Sequence, residues 1–240
     1  MIARPLITDA GLLYGMRRVL ALCCALLAAT DAHAVRFERI ESEGRAYVVA
    51  HVDPAKERIE LFPAPPEGNT FAYVERQVAA RKKKLVFATN GGMYQPDYSA
   101  VGLLVVKGKQ LKPLNTARNN PDFNFTTKPN GVFAITKHGA RVVESSRYAQ
   151  IANDTIEATQ SGPALVLNGA LHPGLKPSST SRHVRNGVGV TKSGEAIFVI
   201  SEERHVARIR DTIPGPARLP RRALLRRLGV ELACPAAQAQ

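Results

Sequence analysis

The chain has 240 residues, 45% of them hydrophobic and 22% charged, enough for one domain with a sizeable core and short for two. Its formal net charge of +13 raises the question of nucleic acid. Yet residues 35–200 hold 22 Lys+Arg against 14 Asp+Glu, and the remaining excess lies towards the two ends. A nucleic-acid module would interleave a basic patch with aromatic residues or carry a known motif. Neither is present, so nucleic acid is not expected as a partner, whereas a positive surface does suit anionic ligands.

In chain order, the first feature is a processing signal over residues 1–34. From Met16 the sequence reads MRRVLALCCALLAATDAHA, with Arg17 and Arg18 as the positive region, an apolar stretch from Val19 to Ala29, and Ala32-His33-Ala34 as the cleavage pattern. Residues 1–15 fit no part of such a signal, which makes Met16 the expected true start. Export to the periplasm or outside follows. After Ala34 no apolar run approaches the ~20 residues that a spanning helix needs, so no membrane association is expected once the signal is removed. Of the three cysteines, Cys23 and Cys24 lie in the signal and Cys234 near the end. That distribution leaves neither a disulfide framework nor a thiolate metal site.

Alternation predicts strands over Val35–Ile40, Arg45–Val52 and Arg58–Phe62. Phe71, Val74, Val78 and Ala79 recur at helical spacing and predict a helix over Thr70–Lys83, with Thr70 as its N-cap and the run Arg81-Lys82-Lys83-Lys84 at its close. Further strands are expected at Leu85–Ala88, Val101–Val106, Gly131–Ile135, Ala164–Leu167 and Ala196–Ile200, separated by turns such as Pro129-Asn130-Gly131 and Asn168-Gly169. The expected fold is a single α+β domain with a mixed, strand-rich sheet and few helices. Two polar stretches, Asn115–Lys128 and Pro173–Asn186, are longer than simple connections, and loops of that length are often functional.

Three segments carry chemistry. FATNGGMYQPDYSAVGLLVVKGKQLKPLNT, Phe87–Thr116, places Asn90-Gly91-Gly92 at a strand end, where glycines let the backbone turn and approach a ligand. ATQSGPALVLNGALHPG, Ala158–Gly174, carries Ser161-Gly162-Pro163. STSRHVRNGVGVTKSGEAIFVIS, Ser179–Ser201, sets Arg182, Arg185 and Asn186 before a Gly-Val-Gly strand. These ordered blocks resemble the phosphodiester glycosidase family, that of the catalytic domain of the mannose 6-phosphate uncovering enzyme. The resemblance implies hydrolysis of a phosphodiester attached to the anomeric carbon of a sugar, with a sugar phosphodiester or another anionic glycan as partner. It implies catalytic roles for Asn90, Arg182 and Arg185, and substrate-binding roles for Gly91, Gly92, Ser161, Gly162 and Asn186. Arginine suits such a site because its planar fork donates two parallel hydrogen bonds to phosphate oxygens.

Other chemistries fit less well. His33, His51, His138, His172, His183 and His205 show no paired metal-ligand spacing, so no metal residue is assigned. Ser161 lacks the G-x-S-x-G elbow, and there is no phosphate loop or dinucleotide fingerprint, so no cofactor is identified. A non-catalytic periplasmic binding module for anionic or glycan ligands is the alternative from a different class.

Beyond Ser201 the motifs end, and residues 202–240 read as a basic, Arg-, Pro- and Ala-rich tail outside the family pattern. Read one nucleotide later from Ile213 under synonymous codon choices, the tail yields a helix-like stretch, a short strand and Asp-Gly-Ser, which the resemblance leads one to look for. A frameshift between about Ser201 and Ile213 is therefore expected, and with it a truncated or impaired enzyme.

Overall fold

The computed structural model describes residues 35–42, 45–65, 71–118, 125, 127–173, 184–201, 217–218 and 231–233. The expected signal, the proposed N-cap Thr70 and Arg182 lie outside these residues. In chain order the elements are β1 (Val35–Ser42), β2 (Arg45–Val52), α1 (Phe71–Ala80), β3 (Leu104–Val106), β4 (Lys109–Lys112), β5 (Gly131–Thr136) and β6 (Gly139–Glu144). Two short 3-10 turns, Ser145–Gln150 and Ala152–Asp154, come next. They are followed by β7 (Thr155–Ser161), β8 (Val166–Leu167), β9 (Ala170–Leu171), β10 (Asn186–Val190), β11 (Ala196–Ser201), β12 (Ala217–Arg218) and β13 (Glu231–Ala233). The described chain is strand-rich with few helices.

Instead of one mixed sheet there are three. A six-stranded sheet has the order β12-β1-β2-β11-β10-β13, a five-stranded sheet the order β4-β3-β7-β5-β6, and β8 with β9 forms a two-stranded ribbon. The ladders are antiparallel except for β1 with β12, which run parallel. The reason for two main sheets lies in the alternation along each strand, which gives every strand two faces to cover. In the six-stranded sheet Val49 and Ile197 point to one side, where they pack with Ile40 and Val166. Val52 and Ala196 point to the other side and pack with Phe133, Ala140 and Val142 of the five-stranded sheet. The two sheets thus share a core. The far face of the five-stranded sheet is covered by Tyr148 of the first 3-10 turn, against Leu103, Val105, Val132, Ala134 and Ala158. Ile40, Val49 and Ile197 are at most 1% exposed, and burying each such side chain stabilises the fold by ~1.5–3 kcal/mol.

Two expected strands are absent. Arg58–Phe62 is not paired in a ladder, because the Leu61 N–H donates to the Glu157 carboxylate at 3.3 Å rather than to a neighbouring strand. Leu85–Ala88 is likewise outside any ladder, and is anchored instead by the Phe87 ring, which lies 6.1 Å from Phe37 and 5.6 Å from Phe198. The helix is shorter than Thr70–Lys83: it ends at Ala80, and Lys82 turns to φ 56°. Val74 is its buried contact. Arg81, just beyond the end, bonds Glu60 at 2.8 Å and lies over the Phe62 ring.

Candidate functional site

Residues Thr89–Tyr94 and Asp97–Ala100 form one wall of a cleft of ≈ 1410 Å³. Close backbone approach explains its glycines. A Cβ on Gly92 would overlap the Thr159 side chain and stand 2.6 Å from the Gln160 carbonyl oxygen, so glycine lets this turn lie directly on β7. Beyond it, Met93 and Val101 are joined by a hydrogen bond of 2.9 Å, Tyr94 bridges Ala100, and the chain reverses over Gln95–Ser99. The Tyr94 and Tyr98 rings stack at 5.8 Å. Asp97, at the tip, accepts from the Ser99 N–H at 2.9 Å, and the Ser99 hydroxyl and amide hold its carboxyl below the ordinary range.

Asn186, the first residue of β10, ties the Asn90 turn to the six-stranded sheet. Its Nδ2 donates to Thr89 Oγ1 at 2.8 Å and to the Asn90 carbonyl at 3.0 Å. Ser161, the last residue of β7, is 4% exposed and lies opposite Gly131 of β5. Asn90, Gly91, Gly92, Ser161 and Asn186 all line the same cleft, so parts of all three sequence blocks meet there. Gly162 and Arg185 are not among its lining residues. Gly162 instead packs on Asn130, whose Oδ1 would be 2.5 Å from an added Cβ. Arg185 is held by its backbone, with its N–H donating to Ser201 Oγ at 2.8 Å and its carbonyl accepting from the Ser201 N–H at 2.8 Å.

Side chains that the motifs did not single out support this arrangement. Gln160 is 1% exposed; its Oε1 accepts from the Leu103 and Asn115 N–H groups at 3.0 and 2.9 Å, and its Nε2 donates to the Asn115 carbonyl at 2.9 Å. It fixes the start of β3 and the loop after β4 against β7. Glu157 is 4% exposed and accepts from Leu61 and Lys107, yet burial raises its pKa above the ordinary glutamate value. Their positions in a polar strand could have been read from the Thr-Gln-Ser run, but only by treating buried polar residues as a signal. His51 is 7% exposed and stands 3.1 Å from Glu195 and 3.4 Å from Glu38. Among the described residues no group of three or more His, Cys, Asp or Glu side chains is arranged to hold a metal. None of their helices is long and apolar enough to cross a membrane.

The fold and cleft define a strand-rich protein with a polar wall assembled from Asn, Gly and Ser residues of separate motifs. The sequence profile of the phosphodiester glycosidase family matches residues 83–231, more than half of the chain, and the chain belongs to that family. The match continues past Ser201 into the basic tail. A relative from Escherichia coli (strain K12), the uncharacterized protein YigE, is 30% identical over 154 residues, or 63% of this chain. The chain spans 59% of that relative's length. The crystal structure of a hypothetical protein from Synechocystis aligns with 84% of this chain and 56% of its own, at a TM-score of 0.41 and 12% identity.

Proposed function

We propose that this protein is an exported phosphodiester glycosidase that cleaves a sugar 1-phosphodiester, working in the periplasm or outside the cell. The observation that carries the reading is the meeting of Asn90, Gly91, Gly92, Ser161 and Asn186 in one cleft of a chain that belongs to this family. Water would replace the phosphate at the anomeric carbon, the C–O bond would break, and a phosphate monoester would leave. That leaving group gathers negative charge, and preorganised donors lower the barrier by stabilising it. Arg182 and Arg185 are proposed for this task, while Asn90, Ser161 and Asn186 orient the sugar. Asn186 fits a positioning role because its amide already fixes the Asn90 turn.

Release of free sugar from a sugar 1-phosphate methyl ester is the test. Turnover that disappears in Arg182→Ala and Arg185→Ala supports the proposal. Binding of the ester without turnover would instead make the protein a non-catalytic module for anionic glycans. Two of the cleft's carboxylates give that second reading its weight: Glu60 is paired with Arg58 and Arg81, and Asp97 is bonded to Ser99.

The frameshift belongs to the same proposal. A slip between about Ser201 and Ile213 would replace a terminal stretch of the domain and impair the enzyme. Sequencing the gene through codons 195–240 decides it. Asp-Gly-Ser in the shifted frame supports the slip, and its absence makes the basic tail native.

A further inference from the structure

The polar wall occupies only part of the cleft. Drug-sized ligands fill pockets of roughly 300–1,000 Å³, and this cleft, at ≈ 1410 Å³, is larger than a sugar phosphate requires. Its remaining lining is mainly apolar, including Phe62, Val74, Val78 and Met93. Its mouth is apolar too. Phe71, Val86, Tyr98 and Leu111 are 56, 49, 47 and 46% exposed, and all four line the cleft. The described residues include only three other exposed large hydrophobics, Ile156, Leu171 and Val184, and none of these is at the cleft. Apolar side chains gathered in this way mark a binding surface, whereas single ones scattered over a surface need no explanation.

Charge accompanies the apolar surface. Lys83, Lys84 and Lys112 line the cleft, and none has a carboxylate within ion-pair distance among the described residues. Other cations of the lining are already paired, Arg58 and Arg81 with Glu60 and Lys56 with Asp53. Asp97 lies near enough to Lys112 to feel its charge, and Glu57 adds one more carboxylate, so the cleft retains an excess of cations. A ligand complementary to such a cleft is anionic at one point and aliphatic over a longer stretch.

We infer that the cleft takes a sugar 1-phosphodiester whose second alcohol is a long aliphatic chain, so that the ligand is a single lipid-linked sugar phosphate. This rests on the proposed function for the sugar and phosphate end. The polar wall of Asn90, Ser161 and Asn186 receives the sugar, the lysines neutralise the diester, and the aliphatic chain covers Phe71, Val86, Tyr98 and Leu111.

Titration calorimetry on the full chain tests the inference with two probes, the methyl and octyl diesters of N-acetylglucosamine 1-phosphate, both below micelle-forming concentration. Burial of a methylene strengthens binding by roughly fourfold. Burial of about half of the methylenes that the octyl chain adds therefore gives roughly a hundredfold tighter binding than the methyl ester. Leu111→Asp and Phe71→Asp, both at exposed positions, bring the ratio of the two affinities towards one. Lys83→Ala combined with Lys84→Ala weakens octyl diester binding more than binding of octyl glucoside, which lacks the phosphate. Equal affinities for the two diesters, or no binding of either, overturn the inference. Free sugar measured in the same samples separates the two readings. Chain-length-dependent binding without sugar release keeps the lipid-linked ligand and removes the glycosidase. Sugar release with equal affinities does the reverse.

Discussion

At Gln160 one buried amide serves two N–H groups and one carbonyl of the segment that leads from the cleft wall to the loop after β4. Replacing it with leucine leaves those backbone groups without partners, at ~1–3 kcal/mol for each one stranded away from water. Gln160→Leu is therefore expected to lose about 3 kcal/mol or more, read as a lower urea midpoint. Gly92→Ala forces a methyl group onto the Gln160 carbonyl and the Thr159 side chain. It is expected to destabilise by about 1–3 kcal/mol and to displace the Asn90 turn, lowering any turnover as well. Glu157 supplies a pH signature. Burial raises its pKa, so the native state holds the proton more tightly than the unfolded chain. Its contribution to stability is complete below the ordinary glutamate value and is lost as pH rises through the raised native value. Glu157→Gln should flatten this fall in a plot of melting temperature against pH, although its amide can accept only one of the two N–H bonds that the carboxylate now accepts. At Asn186, substitution by aspartate puts a carboxylate against the Asn90 carbonyl in place of an N–H donor. A loss of at least roughly tenfold in ligand affinity or turnover is expected, as one charge-unfavourable contact exceeds 1.4 kcal/mol.

Elements differ in how plainly the sequence announces them. β1, β2, β5 and β11 alternate or run apolar, and were readable for that reason. β7 was not. Its seven residues, TIEATQS, are mostly polar, yet six of them are buried. Glu157, Thr159 and Gln160 satisfy backbone groups or fit against glycines there, and a hydrophobic pattern cannot display that. The reverse holds at Arg58–Phe62 and Leu85–Ala88, where apolar residues suggest strands that the backbone does not form. Their side chains pack into the cleft and their backbones find other partners or none in a ladder. The blocks carrying Asn90, Ser161 and Asn186 could be located from the sequence, but the contact that joins Asn186 to the Asn90 turn could not, because 96 residues separate them. The β5–β6 hairpin offers a test at this scale. Gly139 sits at φ 102°, and its carbonyl accepts from Thr136 Oγ1 at 2.9 Å. A side chain disfavours that backbone conformation, so Gly139→Ala should cost about 1–2 kcal/mol in thermal or denaturant unfolding while leaving the distant cleft intact.

For the molecule as a whole, the two edges of the six-stranded sheet have a common origin. β12 borders β1 at one edge and β13 borders β10 at the other, and both come from the chain after Ser201. An uncovered edge strand presents a row of free N–H and C=O groups that can recruit another chain. Loss of the tail would therefore bare Ile40 and Glu41 of β1 at one edge and Val188, Gly189 and Val190 of β10 at the other. A molecule with one open edge can only pair into dimers through it, whereas a molecule with two can add neighbours without limit. Ending the chain at Ser201 should accordingly turn a dispersed protein into one whose light scattering climbs with time and concentration. The residues after Ser201 would then matter to how the molecule meets its own copies as well as to any chemistry in the cleft.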